Sequence, residues 1–343
     1  MSGPCVAAAI SAFGGAENIA VREMPLPQPG RGEIVVRVDA ASVNPIDTRR
    51  RAGYGRRLLS LKGAASLPLV LGNDFAGTVC AVGRGVTAFR EGDAVFGAKP
   101  PSSLGTHATH VVLDANLALP QPRGLKAAQL AVLPYNFLTV MRAFSGAGIT
   151  RSTVEGRRVL VHGASGGLGL IALRLLHAMG AQVTATASAG KHLACTQAGA
   201  TNVIDRQAIP LRALTREYAA TLNFARWEDD VDLLRLLAPG ATGHATTVHP
   251  LLAQVDVNGL VGGLASALCI KRRVAAHRPQ GARYAWTVFR ADQEPLASLR
   301  EFAPLLNPPT ELVPYALAEA AQAHRHVEQH TLGRAVLLPQ WTS

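Results

Sequence analysis

Cysteine is scarce in this sequence. Its 343 residues include four cysteines, Cys5, Cys80, Cys195 and Cys269, and none of them lies near another along the chain. Without a C-x-x-C spacing, the sequence indicates neither a disulfide framework nor a local zinc module. We expect all four to be buried, reduced thiols.

The sequence also lacks a long uncharged apolar run and a basic leader. No stretch of about 18 uncharged apolar residues is present, which argues against insertion into a membrane. The N-terminal segment has no cluster of basic residues and contains Glu17 and Glu23, so neither a secretory signal nor a transit peptide is evident. We therefore expect a soluble chain in the cytoplasm.

Acidic residues are outnumbered by basic ones, 23 to 34, which gives a net charge of +11. Such a charge can indicate nucleic-acid binding, but the basic residues form short groups far apart, such as 49–51, 56–57 and 271–273. No recognised binding motif accompanies them, so we expect no nucleic-acid partner.

Two patterns of predicted secondary structure divide the chain, and its length is typical of about two domains. From Glu33 to about Leu119, short β-rich segments such as EIVVRVDA alternate with Gly, Pro and Asp turns, which predicts an antiparallel barrel. From about Ala127, helices and strands alternate, which predicts a doubly wound parallel sheet. The predicted fold class is therefore α/β.

A glycine-rich turn follows a predicted strand in VLVHGASGGLGLIAL, which begins at Val159. Small residues stand at Ala164-x-Gly166-x-x-Gly169, the spacing that lets a backbone approach a pyrophosphate and lets a helix pack closely on a strand. Backbone N–H groups at the helix N-terminus would donate to the phosphate oxygens. The residues of this predicted dinucleotide site are Ala164, Ser165, Gly166, Gly167, Leu168 and Gly169.

The same residues also match the G-x-S-x-G pattern at Gly163–Gly167. This pattern is typical of the nucleophile elbow of serine hydrolases, in which Ser165 would be the nucleophile. Gly169 and a second strand ending about twenty residues later favour the dinucleotide site. A hydrolase that uses Ser165 remains an alternative.

The end of the second strand of the sheet predicts which nicotinamide cofactor binds. An NAD site places an Asp or Glu there for the ribose hydroxyls, yet no acidic residue occurs from Gln182 to His192. Ser188 and Lys191 suit a 2′-phosphate instead, and Arg206 follows the next strand. We therefore expect NADPH rather than NADH.

Several segments together carry a family resemblance: SVNPID, RAGYG, LVLGNDFAGTV, GASGGLG, VHPLL and YAWTVF. Through them the chain resembles the medium-chain dehydrogenase/reductase superfamily, its zinc-independent quinone oxidoreductase branch, and within that the reticulon-4-interacting subfamily. The resemblance implies a GroES-like β-barrel catalytic domain at 1–128, completed by 290–343, and a Rossmann NADPH-binding domain at 129–289. It also implies an active site in the cleft between the domains and a homodimer.

The resemblance assigns further site residues. Asn44 and Asp47 of SVNPID would line the cleft, Thr139 would contact the nicotinamide end of the cofactor, and Gly333 and Arg334 would lie near the cofactor. The zinc ligands of related dehydrogenases are replaced at Asn44 and Asn73, so we expect no metal, because Zn²⁺ prefers thiolate, imidazole and carboxylate ligands.

The implied reaction is hydride transfer from NADPH to a quinone or an α,β-unsaturated carbonyl. Arg49 stands where many relatives have a tyrosine, so the expected hydrogen-bond donors are Asn44, Arg49 and Tyr54, with Tyr135 as a further polar group. The substrate pocket is expected from variable loops at Arg56–Ser66 and Leu251–Arg278. An NADPH-binding regulatory or partner-binding protein with little catalysis is the alternative from another class.

Overall fold

The structure is a computed structural model that describes residues 4–306 and 311–339. The chain packs as two compact units. The first contains the residues up to Tyr135, the short stretch Val255–Leu260 and the residues from Ala291 onward. The second contains Asn136–Gln254 and Val261–Arg290.

The bounds of the strands and helices follow the chain order. The strands are β1 Cys5–Ile10, β2 Ile19–Met24, β3 Glu33–Ser42, β4 Leu69–Val70, β5 Asp74–Val82, β6 Ala94–Ala98, β7 His110–Asp114, β8 Ala118–Pro120, β9 Arg158–His162, β10 Gln182–Ala187, β11 Asn202–Asp205, β12 Ala220–Asn223, β13 Gly243–Thr246, β14 Arg283–Trp286, β15 Leu312–Ala316 and β16 Arg334–Leu338. The helices are α1 Pro45–Arg51, α2 Arg56–Ser60, α3 Ala127–Leu130, α4 Pro134–Ala147, α5 Arg151–Val154, α6 Gly167–Ala178, α7 His192–Gln197, α8 Asp230–Arg235, α9 Leu251–Ala275, α10 Gln293–Leu306 and α11 Ala320–Glu328.

The first unit is built on strand β3, which pairs antiparallel with β5 on one side and with β7 on the other. The sheet runs β15-β16-β3-β5-β6-β8, and β2-β1-β4 form a smaller sheet. Val35, Val36 and Phe75 are fully buried in this unit. The C-terminal strand β16 adds to β3 antiparallel, which brings the end of the chain to the residues that follow β3.

The second unit is a parallel sheet in the order β11-β10-β9-β12-β13-β14. Its central strand β9 has the buried apolar run Val159–Val161, as expected for a parallel strand covered on both faces. The strand order reverses between β9 and β12, the place where ligands bind in open α/β sheets. The predicted α/β fold, a GroES-like barrel domain with a Rossmann domain, is confirmed.

Two predictions about the surface are wrong. The segments expected as loops contain helices: α2 begins at Arg56, and α9 spans Leu251–Ala275 with one break at Gly259, where φ is 75°. Apolar residues spaced three and four apart in α9 favour a helix, a period hidden by its glycines. Cys269 on this helix is exposed and Cys80 is only partly buried, although we expected four buried thiols.

Helix α9 is also, by length and composition, apolar enough to cross a membrane, and it is the one such helix among residues 4–306 and 311–339. Only 17% of its most apolar window is buried.

Candidate functional site

The glycine turn of the second unit has the close contacts that its spacing predicts. Gly163 adopts φ 78°, a conformation that favours glycine. A Cβ on Gly169 would lie 2.3 Å from the Ala164 carbonyl oxygen, so helix α6 packs directly on the turn. Gly166 caps α6 and is exposed, and a Cβ there would have only an ordinary 3.6 Å contact with Gly163. The turn therefore leaves backbone open at Gly166 while Gly169 holds the helix.

Strand register brings the predicted cofactor residues to one edge of the sheet. His162 lies opposite both Thr186 and Asn223, and Ala187 lies opposite Asp205. Ser188 and Arg206 are each the next residue after these paired ends, and the Arg206 N–H donates to the Ala187 carbonyl at 3.3 Å. Because the carboxyl ends of parallel strands meet at one edge, the glycine turn, Ser188 and Arg206 share it. Lys191 follows in a short 3₁₀ turn.

A cavity of about 270 Å³ opens at this edge. It is bounded by two loops and by the end of β9, and its lining residues are His162, Arg206, Ile209, Pro210, Leu211, Arg212, Arg226, Asp229 and Asp232. Three of these are arginines and two are aspartates, and Arg226 Nε lies 3.7 Å from Asp229 Oδ2. Arg206 and Arg212 therefore give the cavity a small excess of positive charge, which favours an anion. Arg212 and Arg226 were missed from the sequence; the position of Arg226 just after a parallel strand was the available signal.

Both ring nitrogens of His162 are held by neighbouring side chains. Its Nδ1 lies 2.7 Å from Thr186 Oγ1 and its Nε2 lies 2.9 Å from Asp229 Oδ2. Burial lowers the pKa of His162, although the hydrogen bond to Asp229 acts in the opposite direction. With both ring nitrogens engaged, His162 cannot act as the general base for Ser165, three residues later. His162, the histidine nearest to Ser165 in the sequence, thus gives the hydrolase alternative no support.

In the first unit, Asn44 lies in a buried polar cluster. Its Nδ2 donates to Ser42 Oγ at 2.8 Å and to Asp74 Oδ2 at 2.9 Å. Ser42 Oγ also donates to Asp74 Oδ2 at 2.7 Å, and the Tyr135 N–H donates to Asp74 Oδ1 at 2.5 Å. Burial raises the pKa of Asp74 to about 7, even though these hydrogen bonds lower it. A carboxyl group with a near-neutral pKa therefore lies directly beside Asn44.

Arg334 joins this cluster from the other end of the chain. Its Nη2 donates to Asn44 Oδ1 at 3.0 Å. Burial lowers the pKa of Arg334, while the nearby Asp74 raises it. Gly333 has φ 91°, and a Cβ there would lie 2.6 Å from Val313 Cγ2, so a glycine is needed before Arg334. The structure thus brings together Asn44 and Arg334, two residues predicted separately.

Arg49 and Tyr54 form a second, separate pair. The Arg49 guanidinium lies 3.9 Å from the centre of the Tyr54 ring, a cation–π contact. Burial is the main cause that raises the pKa of Tyr54 above its usual value. Within the described residues, no hydrogen bond joins this pair to Asn44. Thr139 is buried on α4 of the second unit.

The residues that replace the zinc ligands of related dehydrogenases do not fit zinc. Asn73 Nδ2 donates to the Lys99 carbonyl at 2.9 Å, and both ends of the Asn44 amide are engaged. In the part of the chain that the structure describes, no group of three or more His, Cys, Asp or Glu is placed to hold a metal ion.

Comparisons with known proteins agree with this fold. The alcohol dehydrogenase GroES-like domain matches residues 30–123. The mitochondrial NAD(P)H oxidoreductase RTN4IP1 of Danio rerio is 31% identical over 322 residues, covering 89% of this chain and 83% of the relative. The chain belongs to this family, within the medium-chain dehydrogenase/reductase superfamily. The Homo sapiens family member is 32% identical, with 89% of this chain and 81% of the relative covered.

Solved structures of similar fold include a quinone oxidoreductase from Coxiella burnetii, with a TM-score of 0.81 and 24% identity over 98% of this chain and all of that one. The CurK enoyl reductase matches with a TM-score of 0.74 and 22% identity over 98% and 99% of the two chains. Both likenesses concern the fold.

The predicted cytoplasmic location is wrong by this comparison, because the names of the family members above describe them as mitochondrial. The prediction depended on the composition of the N-terminal segment, which is a weak signal.

Proposed function

We propose that this oxidoreductase uses NADPH to reduce a quinone or an α,β-unsaturated carbonyl, without zinc. The observation that carries the proposal is the edge of the second unit's sheet. Arg206 lines a cavity at this edge, Ser188 and Lys191 follow β10 at the same edge, and no acidic side chain stands at the end of β10, where an NAD site needs one.

The residues present fit this cofactor. Backbone N–H groups at the start of α6 would hold the pyrophosphate, and the exposed Gly166 would let it approach. The 2′-phosphate end would be bound by Ser188, Lys191 and Arg206, and by Arg226, which lines the same cavity as Arg206. Thr139 would contact the nicotinamide. Bound NADPH supplies the hydride.

The residues of the first unit favour an acceptor that needs little charge stabilisation. A conjugated acceptor spreads the developing negative charge, so hydrogen-bond donors can replace a Lewis acid. The raised pKa of Tyr54 keeps its hydroxyl protonated and able to donate, and Arg49 adds a positive charge beside it. Asn44 is a positioning residue in this proposal, because both ends of its amide are already bonded.

Steady-state turnover tests the reaction. The purified protein is assayed by NADPH absorbance with a quinone, an alkenone and an alkenal, and by NADP reduction with a simple secondary alcohol. We expect turnover of the conjugated acceptors. Efficient alcohol oxidation with inert quinones and enones, or NADPH binding without any turnover, would contradict the proposal.

Replacement of Lys191 tests the cofactor. Lys191→Glu should raise KM for NADPH by about 10- to 100-fold, because a charge-assisted hydrogen bond is lost and a repulsion is added. KM for NADH should change little. Lys126→Glu, an exposed position in the first unit outside the expected substrate pocket, serves as the control with the same charge change. Equal effects of Lys191→Glu on the two cofactors would rule out this role.

We also propose a homodimer. Sedimentation velocity should give twice the chain mass of 36.0 kDa, and a mass of one chain at all accessible concentrations would exclude it.

A further inference from the structure

The surface of helix α9 carries an exposed apolar stripe that takes part in none of the contacts described above. After the break at Gly259, the exposed residues Val261, Leu264, Ala265 and Leu268 recur three and four positions apart, so they share one face of the helix. Val261 is 82% exposed, and Leu264 and Leu268 are 43% and 49% exposed. The opposite face holds Gly263 and Ala267, which are buried.

Basic residues stand at the end of this stripe. Arg272 and Arg273 lie in the last turn of α9 and are exposed. Lys271 comes just before them, and its Nζ lies 5.8 Å from the centre of the Trp286 ring. Among the described residues, the structure gives neither arginine a salt bridge. The surrounding sequence carries charge of only one sign. From 257 to 291 it contains no Asp or Glu and six Lys or Arg: Lys271, Arg272, Arg273, Arg278, Arg283 and Arg290.

We propose that this face of α9 binds the surface of an anionic phospholipid membrane. An amphipathic helix with an exposed apolar face and Lys or Arg beside it lies in the membrane interface, where apolar side chains enter the acyl boundary and basic ones meet lipid phosphates. The part of α9 after Gly259 has about 11 residues before Lys271, or roughly 17 Å of helix, which is too short to span a bilayer. The helix therefore lies on the membrane.

The charges favour a lipid surface over a second copy of the chain. In a pair of copies packed through this stripe, each basic end would need an acidic partner, and the segment 257–291 of the other copy provides none. Asp256, the residue just before this segment, already accepts hydrogen bonds from the N–H groups of Gly55 and Arg57. Anionic headgroups provide that charge.

Co-sedimentation with vesicles tests the proposal. The full chain is mixed with vesicles of phosphatidylcholine alone or with about 30 mol% phosphatidylserine. We expect at least about ten-fold more binding to the anionic vesicles at low salt, decreasing as salt is added. Leu264→Glu/Leu268→Glu and Arg272→Glu/Arg273→Glu should each reduce binding to the level of the neutral vesicles.

Matched controls separate the stripe from general charge and hydrophobicity. Leu193→Glu changes a leucine that is 70% exposed on α7, and Arg31→Glu/Arg84→Glu makes the same charge change on the first unit. Both should bind vesicles as the unchanged protein does, and the melting temperature verifies that every variant folds. No binding to anionic vesicles, equal loss in the controls, or α9 variants that dissociate a dimer without affecting vesicle binding would each overturn the proposal.

Discussion

At the scale of single residues, Asp74 gives the clearest pH dependence. Its folded pKa of about 7 lies above the ordinary 3.8, so the folded chain binds one more proton than the unfolded chain between these values. The contribution is fully present below about pH 3.8 and is lost as pH rises through 7, with a slope of up to about 1.4 kcal/mol per pH unit. Asp74→Asn should remove this slope.

Denaturant unfolding at pH 5, 6, 7 and 8 measures the difference between the protein and its Asp74→Asn variant. Glu91→Gln, at an exposed position, is the control and should leave the slope unchanged. If the protein and the Asp74→Asn variant keep the same pH slope, Asp74 is ionised throughout and the buried cluster has a different charge state.

Residue patterns predicted this cluster only in part. Asn44 and Arg334 were identified from the segments in which they stand, but nothing in the sequence indicated that they share a hydrogen bond. That contact depends on the pairing of β16 with β3, a long-range register that a local pattern does not specify. Asp74 was not singled out from the sequence, because its raised pKa depends on burial, which the sequence does not give.

At the scale of elements, two glycines of the turn before α6 have different functions: Gly169 allows the helix to pack on the turn, and Gly166 leaves the backbone open to a cofactor. Gly169→Ala places a Cβ 2.3 Å from the Ala164 carbonyl, so we expect α6 to shift and the free energy of unfolding to fall by about 1–3 kcal/mol. Gly166→Ala has room for its Cβ and should unfold like the original protein. It should still bind NADPH more weakly, because the added methyl group lies where the pyrophosphate would approach. Thermal unfolding and cofactor titration of both variants check this, and equal stability of the two would contradict it.

A buried hydrogen-bond network around Asp230 on α8 connects the strands β12, β13 and β14. The Asp230 carboxylate accepts from Asn223 at 2.7 Å and from Tyr284 at 2.8 Å, and it lies 3.1 Å from His244 Nε2. Burial alone would raise the pKa of Asp230, but these partners outweigh it and the pKa is lowered. The network therefore stabilises the fold above about pH 3.8, and this stability is lost as pH falls through the folded pKa.

Asp230→Asn should cost about 3 kcal/mol at neutral pH, because it breaks a buried charged network, and the cost should shrink on acidification. Asp232→Asn on the same helix is the control; its carboxylate is 37% exposed and 3.6 Å from Arg235, so we expect less than about 1 kcal/mol. If the two variants lose similar amounts of unfolding free energy, the burial of Asp230 does not add to the stability of the fold.

At the scale of the whole molecule, the sequence predicted the architecture better than the surface. Alternating apolar residues and the β-α repeat indicated both sheets, because sheet periodicity follows from burial. The loops expected at 56–66 and 251–278 contain helices. The helix α9 was not predicted because several of its apolar residues are exposed, so its apolar pattern does not follow burial. The residues of the cavity were predicted only in part from the sequence, because the cavity joins the end of β9 to the segments that follow β11 and β12.

The net charge of +11 leads to the last prediction, about the rate of cofactor capture. NADPH carries one phosphate more than NADH, so the field of a basic molecule and of an arginine-lined cavity should attract it more strongly. The Debye length falls from about 30 Å at 0.01 M salt to about 10 Å at 0.1 M, which screens the distant charges but only partly those in the cavity. Between about 20 and 300 mM NaCl, kcat/KM should therefore fall several-fold for NADPH and less for NADH, with little change in KM for an uncharged quinone. Stopped-flow binding at each salt concentration separates capture from turnover, and identical salt dependence for NADPH and NADH would show that the additional phosphate is not recognised by charge.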